Sequence, residues 1–260
     1  MALDYASRTS QGARGYQEDA ARVHATPAGP DSPAAAQDGH AEQLTAVLAD
    51  GMGGHAGGAL ASSTACGVFL RAFETATGDV SSRLNEALML ANEAIAACVE
   101  DNPALDGMGC TLVGAAIGRD GIEWVSVGDS PMFLIRRGEV FLLNEDHSLA
   151  PEIDKLAAAG KMTWEDAQND PRRHFLRSAL TGSEIELIDR QRLALEPGDV
   201  VLIASDGIQT LSRQEILDVV EANIAGGPDA IADALLAAVD AAGDIYQDNT
   251  TVVVVTLAAD

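Results

Sequence analysis

Apolar residues run almost unbroken through several short stretches of the chain: TAVLAD (45–50), TLVGAAIG (111–118), IEWVSVGDS (122–130), PMFLIRRGEVFLL (131–143), DVVLIASDG (199–207) and TTVVVVTLA (250–258). Runs of this length, rich in Val, Ile and Leu and bounded by Gly, Asp or Ser, predict strands. Within 131–143, the segment from Arg136 to Glu139 predicts a hairpin turn around Gly138. Elsewhere the apolar positions recur every three or four residues. Leu84, Leu88, Ala91 and Ile95 follow this spacing, predicting helices over 57–76 and 80–100, with two more near 212–221 and 228–242. Helices and strands come in blocks rather than in βαβ alternation, which indicates an α+β fold.

Two segments depart from this pattern. Residues 149–180 hold two short helical stretches, the second opened by a TWED capping box at Thr163, followed by the basic run PRRHFLR (171–177); they predict a small helical flap between strands. Residues 25–43 mix Pro, Gly, Asp and Ala without a period and predict a long exposed hairpin loop.

With 260 residues, 47% of them hydrophobic, the chain can build one large core, and a single domain over 1–260 is expected. The net charge of −24 argues against binding nucleic acid or an anionic membrane through a basic face, and favours divalent cations. Cys66, Cys98 and Cys110 form no CxxC pair and read as free thiols in a reducing compartment. The stretch MALDYASRTSQGARG has no apolar leader, and no run approaches the roughly 20 apolar residues of a membrane span. A cytoplasmic protein is expected.

Carboxylates gather at the strand ends. Asp50 ends one apolar run, Asp129 the next, Asp206 another, and Asp248 precedes the last, with Gly51 and Gly207 straight after and Gly128 just before. Each Asp alone is compatible with a turn or cap residue. Brought together, they would repel one another unless cations joined them, and hard oxygen donors without clustered Cys or His point to Mg²⁺ or Mn²⁺ rather than zinc. Near the start, QGARGYQEDA (11–20) reads as strand-like and offers Arg14 with Glu18 and Asp19. Arg14 suits either a phosphate, which its fork binds through two oxygens, or a surface salt bridge with Glu18.

Taken in order, GARGYQEDA, LADGMGGHAGG, GCTLV, VSVGDSPMFLIRRG, LNEDHS, IASDGI and QDNTTVVVV resemble the metal-dependent protein serine/threonine phosphatases of the PP2C (PPM) family, in their compact bacterial form. The resemblance spans essentially the whole chain. It implies a central sandwich of two antiparallel sheets flanked by helical pairs, with the site in a cleft at one end. It also implies that Asp50 bridges two metals, that the Gly51 carbonyl, Asp206 and Asp248 are further ligands, and that Asp129 helps hold a third, weaker ion. Glu18 and Asp19 would act mainly through water, Arg14 would bind phosphate, and His55 would protonate the leaving alkoxide or else simply cap the following helix. The implied reaction is hydrolysis of phosphoserine and phosphothreonine monoesters by direct attack of hydroxide. The implied partners are phosphorylated proteins and an opposing serine/threonine kinase, and a monomer is expected. The alternatives are a phosphoprotein-binding regulatory domain with little turnover, and a phosphatase dedicated to one switch protein. Thr111 is expected to pack under the cleft, His147 to support the sheet, and His24, His40 and His174 to lie in loops or on the surface. The 171–177 cluster either binds a phosphopeptide or offsets nearby acids.

Overall fold

The computed structural model describes residues 3–26, 41–54, 56–118 and 120–257. Two five-stranded antiparallel sheets stack face to face. One has the order β1 (Leu3–Ser10), β12 (Thr250–Leu257), β11 (Val200–Ala204), β8 (Met132–Arg136), β9 (Glu139–Leu142). The other runs β10 (Asp189–Leu193), β7 (Gly121–Val127), β6 (Leu112–Gly118), β3 (Gln43–Ala49), β2 (Ala20–Thr26). A two-residue ribbon joins β4 (Gly51–Met52) to β5 (Gly109–Cys110). Helices α1 (Ala56–Thr75) and α2 (Val80–Asp101) cover the second sheet, and α5 (Arg213–Asn223) and α6 (Gly227–Ala242) cover the first.

The unbroken apolar runs follow from this four-layer arrangement. Side chains alternate across a strand, so a strand between two buried faces needs apolar residues at every position. In β12, Val253 and Val255 enter the core between the sheets while Val252 and Val254 pack beneath α5 and α6. In β3, Ala46 and Leu48 face inward and Val47 and Ala49 face α1. The expected α+β sandwich is observed.

Residues 149–180 carry α3 (Ala150–Ala158), α4 (Trp164–Gln168) and a 3₁₀ turn at Pro171–His174, with Ile153, Ala157 and Ala167 forming their own small apolar cluster. Thr163 caps α4 by accepting a hydrogen bond from the Asp166 amide at 3.0 Å. Its hydroxyl also donates to the Asp166 carboxylate. The basic run is largely consumed by neighbouring acids: Arg172 pairs with Asp170, Arg173 with Asp154 and Arg177 with Glu152. Strands β2 and β3 form the expected hairpin ladder from Ala20↔Ala49 to Thr26↔Gln43, while most of the expected loop, 27–40 with His40, lies outside the described residues. Cys66, Cys98 and Cys110 are all free.

One expectation is corrected. Residues 11–19 form a loop between β1 and β2, not a strand-like segment. At Gly12 the backbone turns into the left-handed region (φ 59°), which an extended strand cannot accommodate.

Candidate active site

The loops at one end of the sandwich bring the predicted acids together. Asp50 follows β3, Asp129 lies two residues beyond β7, Asp206 opens a 3₁₀ turn after β11, and Asp248 precedes β12. With Arg14, Glu18 and Gly51 they line a cleft of about 940 Å³, whose opposite wall is the flap segment from His174 to Ala179. Asp19 sits deeper, its carboxylate accepting a hydrogen bond from Ser205 at 2.7 Å. Arg14 pairs across the loops with Asp248 at 2.5 Å rather than with Glu18. His55 lies outside the described residues.

This cluster is electrostatically unfavourable as it stands. Burial, reinforced by Asp206, Asp19, Asp129 and Asp248, holds the Asp50 carboxyl well above the usual carboxylate range. Burial pushes Asp129 up to about 7, with Asp206 and Asp146 adding to the shift, and Asp19 to about 6. Asp206 is likewise raised, first by burial and then by Asp248, while a hydrogen bond with Asp50 opposes the shift. Glu18 Oε1, Asp19 Oδ1 and Asp206 Oδ1 are buried with no hydrogen-bond partner. A buried carboxylate oxygen without a partner is costly, so the set calls for cations. Among the described residues no three acids close on one point as a preformed chelate would.

Two of the glycines after Asp50 are required by close packing. A Cβ on Gly51 would lie 2.2 Å from the Gly58 carbonyl oxygen and 2.5 Å from that of Glu18, and one on Gly58 would lie 2.4 Å from Glu18 Oε1. The start of α1 thus closes directly onto the Glu18 segment, and only hydrogen fits between them. Thr111 supports the same corner: its hydroxyl accepts from the Asp50 amide at 3.0 Å and shares a hydrogen bond with Ser130. His147 is buried and brackets Gly128, accepting at Nδ1 from its amide and donating its own amide to its carbonyl. That fixes the turn that presents Asp129, in keeping with the supporting role expected.

Three further residues, none of them given a role by the sequence patterns, hold the site in shape. Asn249 accepts from the Glu18 amide at 2.8 Å and donates to the carbonyls of Gln11 and Tyr16 at 2.8 and 2.9 Å. Gln17 donates to Thr9 and the Ser10 carbonyl and accepts from the Asp19 amide. Gln247, nearly buried, ties the Gly207 carbonyl and Thr210 to the segment carrying Asp248. In the sequence only their place gives them away, Asn249 and Gln247 bracketing Asp248; their burial and partners appear only in the fold. His24 pairs with Glu74 on α1, whereas His174, exposed on the flap, faces the cleft.

Comparison with known proteins fits this geometry. The serine/threonine protein phosphatase PstP of Mycobacterium tuberculosis is 36% identical over 177 residues, covering 67% of this chain, which spans about a third (34%) of PstP's length. The serine/threonine phosphatase stp of Listeria innocua is 30% identical over 211 residues, covering 73% of this chain and 82% of that protein. A crystal structure of the PstP catalytic domain in complex with two manganese ions superposes with a TM-score of 0.77 at 31% identity, covering 99% of both chains. The sequence model of the protein phosphatase 2C family matches residues 29–239. With its sandwich, its acid-lined cleft and this match across most of its length, the chain belongs to the protein phosphatase 2C family.

Proposed function

We propose that the domain is a metal-dependent protein serine/threonine phosphatase acting on phosphoserine and phosphothreonine monoesters, its substrates being phosphorylated proteins supplied by an opposing kinase. The observation that carries this reading is the set of partnerless buried oxygens on Glu18, Asp206 and, beneath the cleft, Asp19, crowded with Asp50, Asp129 and Asp248 beside Arg14. All the donors are hard oxygens, which suits Mg²⁺ or Mn²⁺. Asp50, the Gly51 carbonyl, Asp206 and Asp248 would hold two ions, and Asp129 a third, weaker one. When bound, such ions supply an acidified water as nucleophile and neutralise phosphoryl charge. The chain's own groups do the rest. Arg14, held on a loop fastened by Asn249 and Gln17, offers its fork to two equatorial phosphate oxygens and orients the ester for in-line displacement. Glu18 and Asp19 position water at the floor. His55 donates a proton to the departing serine or threonine oxygen.

The test is hydrolysis of a phosphothreonine peptide with EDTA, Mg²⁺ or Mn²⁺, alongside Asp206→Asn. Turnover should require metal and fall by about a hundredfold or more in the variant. Peptide binding without turnover under every metal condition would instead make the chain a phosphoprotein-binding module.

A further inference from the structure

A second cavity of about 630 Å³ adjoins the acidic cleft. Apolar side chains line it: Phe133 of β8, Leu142 of β9, Leu211 just before α5 and Ile216 of α5. Asp129 lines both spaces, and the flap turn Pro171–His174 presents Arg173 to this groove and the next residue, His174, to the cleft. One side chain and one turn therefore separate them. A polypeptide whose modified residue occupies the cleft can continue directly into the groove.

The groove's chemistry is equally specific. Glu145 and Asp146 stand on its wall with Asp129, while of the two arginines that line it, Arg173 is already held by the Asp154 carboxylate and only Arg213 stands against the three acids in charge. Leu142 lies on the edge strand β9 and is 37% exposed, so among the described residues nothing covers its apolar surface fully. An extended segment bearing a bulky apolar residue and a basic residue fits this combination.

We infer that the groove docks the substrate segment adjoining the phosphorylated residue, seating an apolar side chain against Leu142 and a basic one against Glu145 and Asp146. This rests on the phosphatase reading and adds a sequence preference to it. Neither Leu142 nor Glu145 belongs to the metal-facing set.

The experiment compares kcat/KM on three substrates: a phosphothreonine peptide with Leu and Arg on one flank or the other, the same peptide with both replaced by Ala, and p-nitrophenyl phosphate, which has no flanks. The wild type should favour the Leu/Arg peptide on one side by about tenfold. Leu142→Asp and Glu145→Lys should each remove most of that preference while leaving p-nitrophenyl phosphate turnover within about twofold. Glu145 is exposed, so its reversal does not threaten the fold, and a peptide with Glu in place of Arg should regain rate on Glu145→Lys alone. Equal rates on all peptides by an enzyme active on p-nitrophenyl phosphate would overturn the docking inference and leave the phosphatase reading intact. Absence of metal-stimulated turnover on any substrate would overturn both.

Discussion

Asn249 shows how much a single amide can organise. Its three hydrogen bonds gather Gln11, Tyr16 and Glu18 around the loop that presents Arg14. Asn249→Ala would leave the Glu18 amide and two carbonyls without these partners, at a cost of about 2 kcal/mol or more. It should lower stability in urea and also reduce kcat/KM on p-nitrophenyl phosphate by about tenfold, because the guanidinium loses its fixed position. A stability loss with unchanged kinetics would show that Arg14 is positioned some other way. Gly58→Ala probes the neighbouring contact, forcing Glu18 Oε1 away from the start of α1. The Mn²⁺ concentration giving half-maximal activity should rise by about tenfold, with maximal rate less affected. The candidate acids were legible in the sequence because an Asp at the end of an apolar run is conspicuous. The amides holding them were not, since Asn and Gln have no pattern until the fold shows what they touch.

Among the elements, the strands legible from hydrophobicity are those with both edges occupied, β3, β6, β7, β8, β11 and β12, and the edge strand β9, which the Gly138 turn joins to β8. The edge strands β1 and β10 escaped notice, and for a physical reason. In β10 the central Arg190, Gln191 and Arg192 are all exposed, so no apolar run or clean alternation marks it. The sheet carrying β8 and β11 is pinned by a half-buried ion pair, Arg136 with Asp199, made through two hydrogen bonds at 2.8 and 2.5 Å; the Asp199 side chain is only 2% exposed. Asp199 also accepts from the Glu196 amide, so it fixes the turn entering β11. Asp199→Ala removes both of these hydrogen bonds to Arg136, leaves the half-buried guanidinium with only Glu196 and the Ala194 carbonyl, and should destabilise the protein by about 2 kcal/mol in urea titrations. A loss below about 1 kcal/mol would mean that water takes over the pairing.

At the scale of the molecule, the acidic cleft makes stability depend jointly on pH and metal. Asp19 and Asp129 titrate near 6 and 7 in the fold, above the ordinary carboxylate value near 3.8, so the folded state binds protons more tightly than the unfolded one. Their contribution is therefore complete below the unfolded value and is lost as pH rises through 6 to 7. Protein stripped with EDTA should melt at a progressively lower temperature between pH 5 and about pH 8. Saturating Mn²⁺ should flatten this dependence, since cations replace protons between the acids. Asp129→Asn should flatten it in part without metal, which separates the cleft from the general effect of a −24 charge. A melting temperature that climbs with pH in EDTA would contradict this account.

The pairing of β1 with β12 bears on how the protein is made. Ser10 lies opposite Thr250, so the first strand emerges from the ribosome about 240 residues ahead of its neighbour, on the order of tens of seconds at ordinary rates of synthesis. Until then one sheet lacks a central strand, and neither Asp248 nor the Asn249 clamp exists to hold Arg14. A nascent chain consequently lacks the completed cleft, and it carries an exposed apolar sheet edge that chaperones have reason to shield.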